Sequence, residues 1–205
     1  MATPKLGKPI GLEKLTIFPI LTNDETGTTY GPAIKVGRAV TASLTPQTVE
    51  ATLDSEDSVE EDISMVSSWN LDFEASQLNE EARAKLFGHE IDEAGGIVYN
   101  KSDQSAEVAV AWRSRTTAKG TDGEDQYIYY VLYRGRFSEQ PENFETTRRD
   151  SITMQTASGV AGRFYARADG EVMYRLRQDN NELFDPTLAD GWFEAPVEKK
   201  TAVGG

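Results

Sequence analysis

The chain contains no cysteine and a single histidine, His89, among its 205 residues. Without cysteine, disulfides and thiolate metal sites are excluded, and one histidine cannot supply a multi-histidine zinc site. This composition is typical of a protein that folds in a reducing cytoplasm. No run of about 18 apolar residues is present, so a transmembrane helix and a membrane partner are not expected. The N-terminal segment MATPKLGKPIGLEKL also lacks the apolar centre of a signal peptide.

Sequence motifs for catalysis or cofactor binding are absent too. The chain has no GxSxG motif, no glycine-rich loop before Lys-Ser or Lys-Thr, and no GxGxxG after a strand. The most acidic stretch, Asp54 to Asp62, lacks the central glycine and terminal glutamate of an EF-hand loop. Paired carboxylates of the glycosidase kind occur in any acidic β protein and identify nothing here. We therefore expect no catalytic residue, no metal ion and no cofactor.

Basic residues are few: the chain has 21 Lys and Arg against 34 Asp and Glu, which gives a net charge of −13. A chain of this charge should not be attracted to nucleic acid, because phosphate binding depends on Lys and Arg displacing counterions. The simplest role of the negative charge is solubility.

The most informative pattern that is present predicts two long strands. From Gln126 to Phe137, one face carries Tyr127, Tyr129, Val131, Tyr133 and Phe137, and the other carries Ile128, Tyr130 and Leu132. A strand that is apolar on both faces is expected to be covered on both. The interleaved arginines Arg134 and Arg136 are expected to pair with carboxylates rather than to form a nucleic-acid platform. The second strand, from Asn143 to Thr156, has one polar face.

Alternation also predicts a half-buried strand from Ile63 to Phe73. One face is apolar, and the other is polar and interrupted by Val66. The expected apolar face holds Ile63, Met65, Trp69, Leu71 and Phe73 with Ser67, and the expected polar face holds Asp62, Ser64, Ser68, Asn70, Asp72 and Glu74.

Other signals predict short elements and turns. Asn79 and Gly88 bracket a helix, Asp185-Pro186 begins a helical turn, and Thr45-Pro46 is expected to turn between two strands. Asp169-Gly170 predicts a hairpin that joins strands at 160–167 and 172–177. The acidic run Asp54 to Asp62 is expected to be a solvated loop.

Many strands with few helical segments predict a mainly β fold, a sandwich or half-barrel with one short flanking α-helix. We expect a single domain over residues 1–205, with an N-terminal arm at 1–10 and a flexible C-terminal tail at 195–205.

The segment YRGRFSEQPENFETTRRDSITMQT resembles the same region of the major tail tube protein of long, flexible-tailed bacteriophages. GLEKLTIFPILTNDETGTTYGPAIKV, ATLDSEDSVEED, LFGHEID, GGIVYNKSDQSAEVAVAWRS, FYARADGEV and GWF follow in the family's order. The resemblance covers Gly11 to Phe193, most of the chain.

The resemblance implies a structural virion protein that is not an enzyme. Members form hexameric rings that stack into a hollow tube with extended loops and terminal arms between rings. The implied partners are further copies of the chain, the tape measure protein and the tail-tip and terminator proteins. Phage DNA would pass through the lumen into the host without specific binding, and an acidic lumen would favour its sliding. The implied location is the virion tail, after synthesis in the bacterial cytoplasm.

Three candidate surfaces follow from this resemblance together with the sequence patterns. The inter-ring loop comprises Asp54, Glu56, Asp57, Glu60, Glu61 and Asp62. The arm contacts comprise Lys5, Lys8, Lys199 and Lys200. The lumen wall comprises Ser64, Ser68, Asn70, Asp72, Glu74, Thr147, Ser151, Thr153 and Gln155.

Other functions remain open at this point. A tail-derived secretion tube would share the architecture. A soluble β-sandwich binding module, for carbohydrate for example, would need an exposed aromatic shelf, whereas Trp69, Trp112 and Trp192 are expected to be buried or terminal. An enzyme would need the nucleophile or metal set that is missing.

Overall fold

The computed structural model of the protein describes residues 6–55, 58–120, 122–141, 159–179 and 182–199, with only the backbone for 51–55 and 58–63. Within these residues the elements, in chain order, are β1 (Pro9–Asp24), β2 (Gly27–Tyr30), β3 (Ile34–Lys35), β4 (Gly37–Ser55), β5 (Ser58–Leu78), α1 (Glu80–Phe87), β6 (Glu90–Ile91), β7 (Ile97–Val98), β8 (Val108–Lys119), β9 (Asp125–Glu139), β10 (Val160–Phe164), β11 (Met173–Arg177) and α2 (Pro186–Asp190). Neither helix is long and apolar enough to span a membrane.

Nine of these strands form one antiparallel sheet in the order β2-β1-β8-β9-β10-β5-β4, with β11 beside β9 and β3 beside β1. Strands β1 and β4 have four strands between them in this order and nevertheless contact each other, so the sheet curves. The mainly β fold with a short flanking helix is therefore confirmed. The second helical turn predicted at Asp185 is present as α2.

The helix α1 covers one face of the sheet, which we call the helix face. Asn79 caps the first turn by accepting a hydrogen bond from the Glu81 N–H at 3.0 Å, and Gly88 ends the helix at φ 77°. The predicted caps are therefore confirmed. Beneath α1 lies an apolar core that contains Leu71, Phe73, Val108, Val110, Trp112, Leu132, Phe137 and Phe164.

The C-terminal strap, residues 184–199, covers part of the opposite face. Trp192 is fully buried there against Tyr129 and Val131, and its Nε1–H donates to the Tyr130 carbonyl at 3.0 Å. Because β9 lies between this cluster and the core under α1, both of its faces are covered, as its sequence predicts.

One residue of β9 lies on the opposite face of the sheet from the one that alternation predicts. Phe137 belongs to the core under α1, although its numbering places it with Tyr133, which faces the strap. The pairing Val110↔Leu132 followed by Val108↔Gly135 shows one extra residue in β9. Such a bulge reverses the alternation from that point onwards.

The predicted turn at Thr45-Pro46 is wrong. Strand β4 continues through Pro46, which pairs with Trp69 of β5. β4 ends the strand order, and among the described residues it pairs only with β5. A proline, which has no N–H to donate, is tolerated on an edge strand of this kind.

The predicted hairpin around Asp169-Gly170 is also incorrect in its pairing. Strands β10 and β11 do not pair with each other but pair one after the other with β9. The tight turn itself exists, because the Arg167 N–H donates to the Glu171 carbonyl at 2.9 Å and Gly170 has φ 86°. After β10 the chain therefore leaves β9, passes through this turn and returns to pair with β9 again as β11.

Candidate assembly surfaces

The uncovered half of the strap-side face forms a polar surface. By register, Asn70 and Asp72 of β5 pair with Arg163 and Ala161 of β10, which pair with Arg136 and Ser138 of β9. Directly paired residues share a face. We call this surface the polar face; it contains Ser43, Thr45, Gln47, Ser68, Asn70, Asp72, Glu74, Arg136, Ser138, Ala161 and Arg163.

Four residues predicted for the lumen wall are brought together on the polar face: Ser68, Asn70, Asp72 and Glu74. Ser64 is not with them. Gln47 pairs with Ser68 but Thr48 with Val66, so Ser67 is an extra residue, and the alternation reverses there. The four remaining members of the set, Thr147, Ser151, Thr153 and Gln155, lie outside the described residues.

The polar face carries both signs of charge, which sequence patterns did not predict. Asp72 and Glu74 are exposed. Arg136 and Arg163 lie on the same face, and the Arg163 Nε–H donates to the Ser68 hydroxyl at 3.1 Å. The arginines were missed because β10 was expected to pair within a hairpin, not between β5 and β9.

A two-stranded ribbon extends from the sheet at the other end of β5. Beyond Gln47, strands β4 and β5 pair only with each other among the described residues, from Thr48↔Val66 to Ser55↔Ser58, with one register shift between Leu53 and Asp54. Asp54 pairs with Val59, Leu53 with Glu61 and Thr52 with Asp62. The expected solvated loop is therefore a mostly paired hairpin end, in which Glu60 also lies on β5, while Glu56 and Asp57 lie outside the described residues.

Apolar side chains are exposed on this ribbon. Val49, Met65 and Val66 are 54%, 63% and 50% exposed. Val49 and Met65 are direct cross-strand neighbours. The expectation of a buried Met65 is wrong, because the sheet ends before this position and nothing described packs on either face. A two-stranded hairpin alone is at best marginally stable in water, so the ribbon is expected to gain from a partner.

The N-terminal segment contacts the sheet just before β1. The Gly7 N–H donates to Asp179 Oδ2 at 2.7 Å, and Asp179 is also bound by Arg177 at 2.7 and 2.8 Å. These hydrogen bonds, the arginine's first, lower the pKa of Asp179. Lys8 is exposed, and Lys5 lies outside the described residues.

The strap is held by a network around Arg167, whose side chain is 4% exposed. Its guanidinium donates to Glu198, Asp169 and Glu171 at 2.5, 2.6 and 3.1 Å, and lies 3.9 Å from the centre of the Tyr133 ring. Oxygens of the three carboxylates lie within 4.8 Å of one another, and the Arg167 guanidinium donates hydrogen bonds to all three of them. Arginine therefore takes the place that a cation would need.

The remaining arm candidates lie at the end of this strap. Lys199 pairs with Glu171, and Lys200 lies outside the described residues. The Tyr133 hydroxyl donates to the Val197 carbonyl at 2.8 Å. The described part of the predicted tail, residues 195–199, thus contacts the sheet.

His89 links three segments of the chain. Its Nδ1 bonds Asp103 Oδ2 at 2.7 Å, its Nε2 lies 3.5 Å from Glu139 Oε1, and its ring centre lies 4.1 Å from that of Tyr99. Hydrogen bonds from Asn100 and His89 lower the pKa of Asp103. The contacts tie the end of α1 to the loop before β8 and to the end of β9, which is a structural role.

The tryptophans do not form an exposed aromatic shelf. Trp112 and Trp192 are 5% and 0% exposed, and Trp69 is partly buried against the core under α1. Arg134 and Arg136 pair with Glu107 at 2.8 and 3.4 Å, which confirms their predicted carboxylate partners.

A comparison with protein families agrees with this geometry. A family model described as phage tail tube protein matches residues 41–186, which include the ribbon, α1, most of β4 and strands β5 to β11. A search of curated proteins found no match. The matched family is one of structural proteins, not of enzymes, and its members are components of the virion tail that associate into a tube. The chain belongs to the phage tail tube protein family.

Proposed function

We propose that this tail tube subunit assembles into hexameric rings that stack into a hollow conduit, through which phage DNA is ejected into the host. The observation that carries the proposal is the β4–β5 ribbon, a paired hairpin with apolar side chains exposed to solvent. Exposed apolar side chains on a two-stranded ribbon that no described element covers favour a contact with another protein.

Ring closure is supported by the open sheet. The strand order ends in β4, whose outer backbone groups have no strand partner among the described residues. Strand β4 runs from Gly37 to Ser55, and a long edge is a template for pairing with another chain. A head-to-tail contact between identical copies closes into a ring when the rotation allows it.

Stacking is assigned to the ribbon and the terminal arms. The eight residues from Thr48 to Ser55 extend about 25 Å at the rise of a β-strand. The ribbon can therefore project from the ring that contains its own sheet towards a neighbouring ring. The candidate contact residues are Asp54, Glu56, Asp57, Glu60, Glu61 and Asp62 on the ribbon and Lys5, Lys8, Lys199 and Lys200 on the arms.

The polar face is assigned to the lumen. It is the part of the sheet that neither α1 nor the strap covers. Of its described candidate residues, Asp72 and Glu74 are exposed, Asn70 is half-buried and Ser68 is buried. The tape measure protein would occupy this lumen during assembly, and tail-tip and terminator proteins would bound the tube. Synthesis would take place in the host cytoplasm.

Negative-stain electron microscopy across a concentration series tests the assembly. Wild-type protein should form hollow tubes or stacked rings, either alone or with the tail-tip complex supplied. A variant that lacks residues 55–61 should keep the wild-type circular dichroism spectrum and unfolding midpoint but form no tubes. A matched control, Gln77→Glu, adds a charge at the far end of β5 and should form tubes normally.

Two results would contradict the proposal. Normal tubes from the shortened variant would remove the ribbon from the stacking contact. A wild-type monomer that stays monomeric even with the tail-tip complex would favour a soluble binding module instead.

A further inference from the structure

Arg136 and Arg163 are direct cross-strand neighbours on the polar face. Both side chains are exposed; that of Arg136 is 55% exposed. Like charges directly opposite each other in a sheet repel and destabilise the pair. In a chain with a net charge of −13, this arrangement is unexpected and needs an explanation.

Neither arginine has a carboxylate of its own among the described residues. Glu107 is held by Arg134 at 2.8 and 3.1 Å, and Arg136 only reaches the same carboxylate at 3.4 Å. Arg163 donates to the neutral Ser68 hydroxyl, and its guanidinium lies 5.4 Å from the centre of the Tyr165 ring. The two guanidinium groups therefore keep donors available for an anion.

A groove of about 600 Å³ runs over this pair. Tyr165, Gln104 and Ser105 line it beside the arginines, and Asn70 and Asp72 line the β5 side. The negative charge of Asp72 disfavours an anion at the β5 side, so an anion would bind at the β9–β10 side, between the two guanidinium forks.

We propose that this groove binds phosphate groups of a nucleic-acid backbone. Planar guanidinium forks match the oxygens of a phosphate group in pairs. The groove is open and much larger than a single phosphate ion, so it has room for several units of a polymer. Only the source of the nucleic acid, DNA in the lumen, rests on the proposed function.

This contact is weak and independent of base sequence. Two phosphate contacts give a slope of about −1.8 in log K against log salt concentration. The surrounding negative charge reduces the affinity further. The groove thus gives each subunit a transient hold on a phosphate rather than a tight site.

Fluorescence anisotropy of a labelled 20-base-pair duplex tests the inference, with protein titrated at 20 mM and 150 mM NaCl. Arg136→Gln and Arg163→Gln should each weaken binding at low salt at least five-fold. The control Arg175→Gln removes the same charge from β11, where Arg175 contacts the Tyr130 ring, and should change binding less than two-fold. Arg175→Gln should keep the wild-type unfolding midpoint, and neither Arg136→Gln nor Arg163→Gln should lower it.

Inorganic phosphate is the second probe and should displace the duplex at millimolar concentration. Equal weakening by all three variants would overturn the inference, because it would show only general attraction. Binding of inorganic phosphate or of a poly-glutamate peptide without binding of the duplex would overturn the nucleic-acid assignment. If the protein forms tubes but does not bind the duplex, the phosphate-binding inference is wrong and the proposed assembly stands. If the protein binds the duplex but never forms tubes, the proposed assembly is wrong and the phosphate-binding inference stands.

Discussion

Gly162 of β10 lies directly opposite Phe137 of β9, and the missing side chain of the glycine makes room for the phenylalanine ring. A Cβ at position 162 would lie 2.4 Å from ring atom Cε1 of Phe137. The ring in turn packs edge-on against Phe73 and Phe164, at 5.4 Å in both cases. The glycine therefore sets the position of an aromatic cluster between the sheet and α1.

Gly162→Ala should lower the free energy of unfolding by about 1–3 kcal/mol, because the ring must leave its packed position. Urea denaturation followed by circular dichroism measures the change. Gly159→Ala is the matched control, since a Cβ there approaches no atom closer than 3.9 Å. An alanine at 162 that leaves stability unchanged would show that the cluster can rearrange without cost.

Arg167→Ala should destabilise the protein by about 2–3 kcal/mol, because several hydrogen bonds to charged groups are lost at once. The strap should also loosen at residues 197–199, where Glu198 loses its partner. Hydrogen exchange of the strap measures this loosening, and thermal unfolding measures the stability. Arg175→Ala, which removes only a distant ring contact, should change stability by less than about 0.5 kcal/mol.

Acid should weaken the attachment of the N-terminal segment at Asp179. The folded-state pKa of this group lies below its unfolded value of about 3.9. Its contribution is therefore present above pH 4 and is lost as the pH falls through the folded-state pKa. Asp179→Asn should cost about 1.5–3 kcal/mol at pH 7.

The difference between wild type and Asp179→Asn should narrow as the pH is lowered from 4 to 2. Urea denaturation at each pH measures it. Asp122→Asn, at an exposed position in the turn before β9, serves as the control and should follow the wild-type curve. A difference that stays constant down to pH 2 would contradict the lowered pKa.

Val49→Glu and Met65→Glu should leave the monomer stable and prevent tube formation. Both side chains are more than half exposed, so the monomer loses little buried area. A charge in an apolar contact between subunits would be desolvated without a partner. Sedimentation of assembled material measures the effect, with Gln77→Glu as the control; normal assembly of both ribbon variants would place the contact elsewhere.

Local patterns were sufficient where neighbouring residues decide the structure. The caps of α1 at Asn79 and Gly88, the Asp185 cap of α2 and the covered strand β9 were all predicted correctly. Each depends on hydrogen bonds or alternation within a few residues. The family resemblance was also available from the sequence and is confirmed.

Because of two β-bulges, the face of the sheet on which some side chains lie could not be predicted from the sequence. One extra residue in β9 turned Phe137 towards α1, and another at Ser67 separated Ser64 from Ser68. A bulge depends on how a strand fits its partner, and alternation in one strand cannot reveal it. The lumen set could therefore be predicted only in part.

The sequence alone determined a mainly β chain without cysteine chemistry, because composition, alternation and helix caps are local properties. Its tail tube role came from the resemblance of its segments to the family, not from those properties. Only the tertiary structure decided which strands became neighbours. It carried β4 straight through Pro46 along an open edge, and it placed β10 between β5 and β9, where Arg163 lies opposite Arg136. Pairing between distant segments depends on how the whole sheet closes around its core, and no short stretch of sequence contains that information.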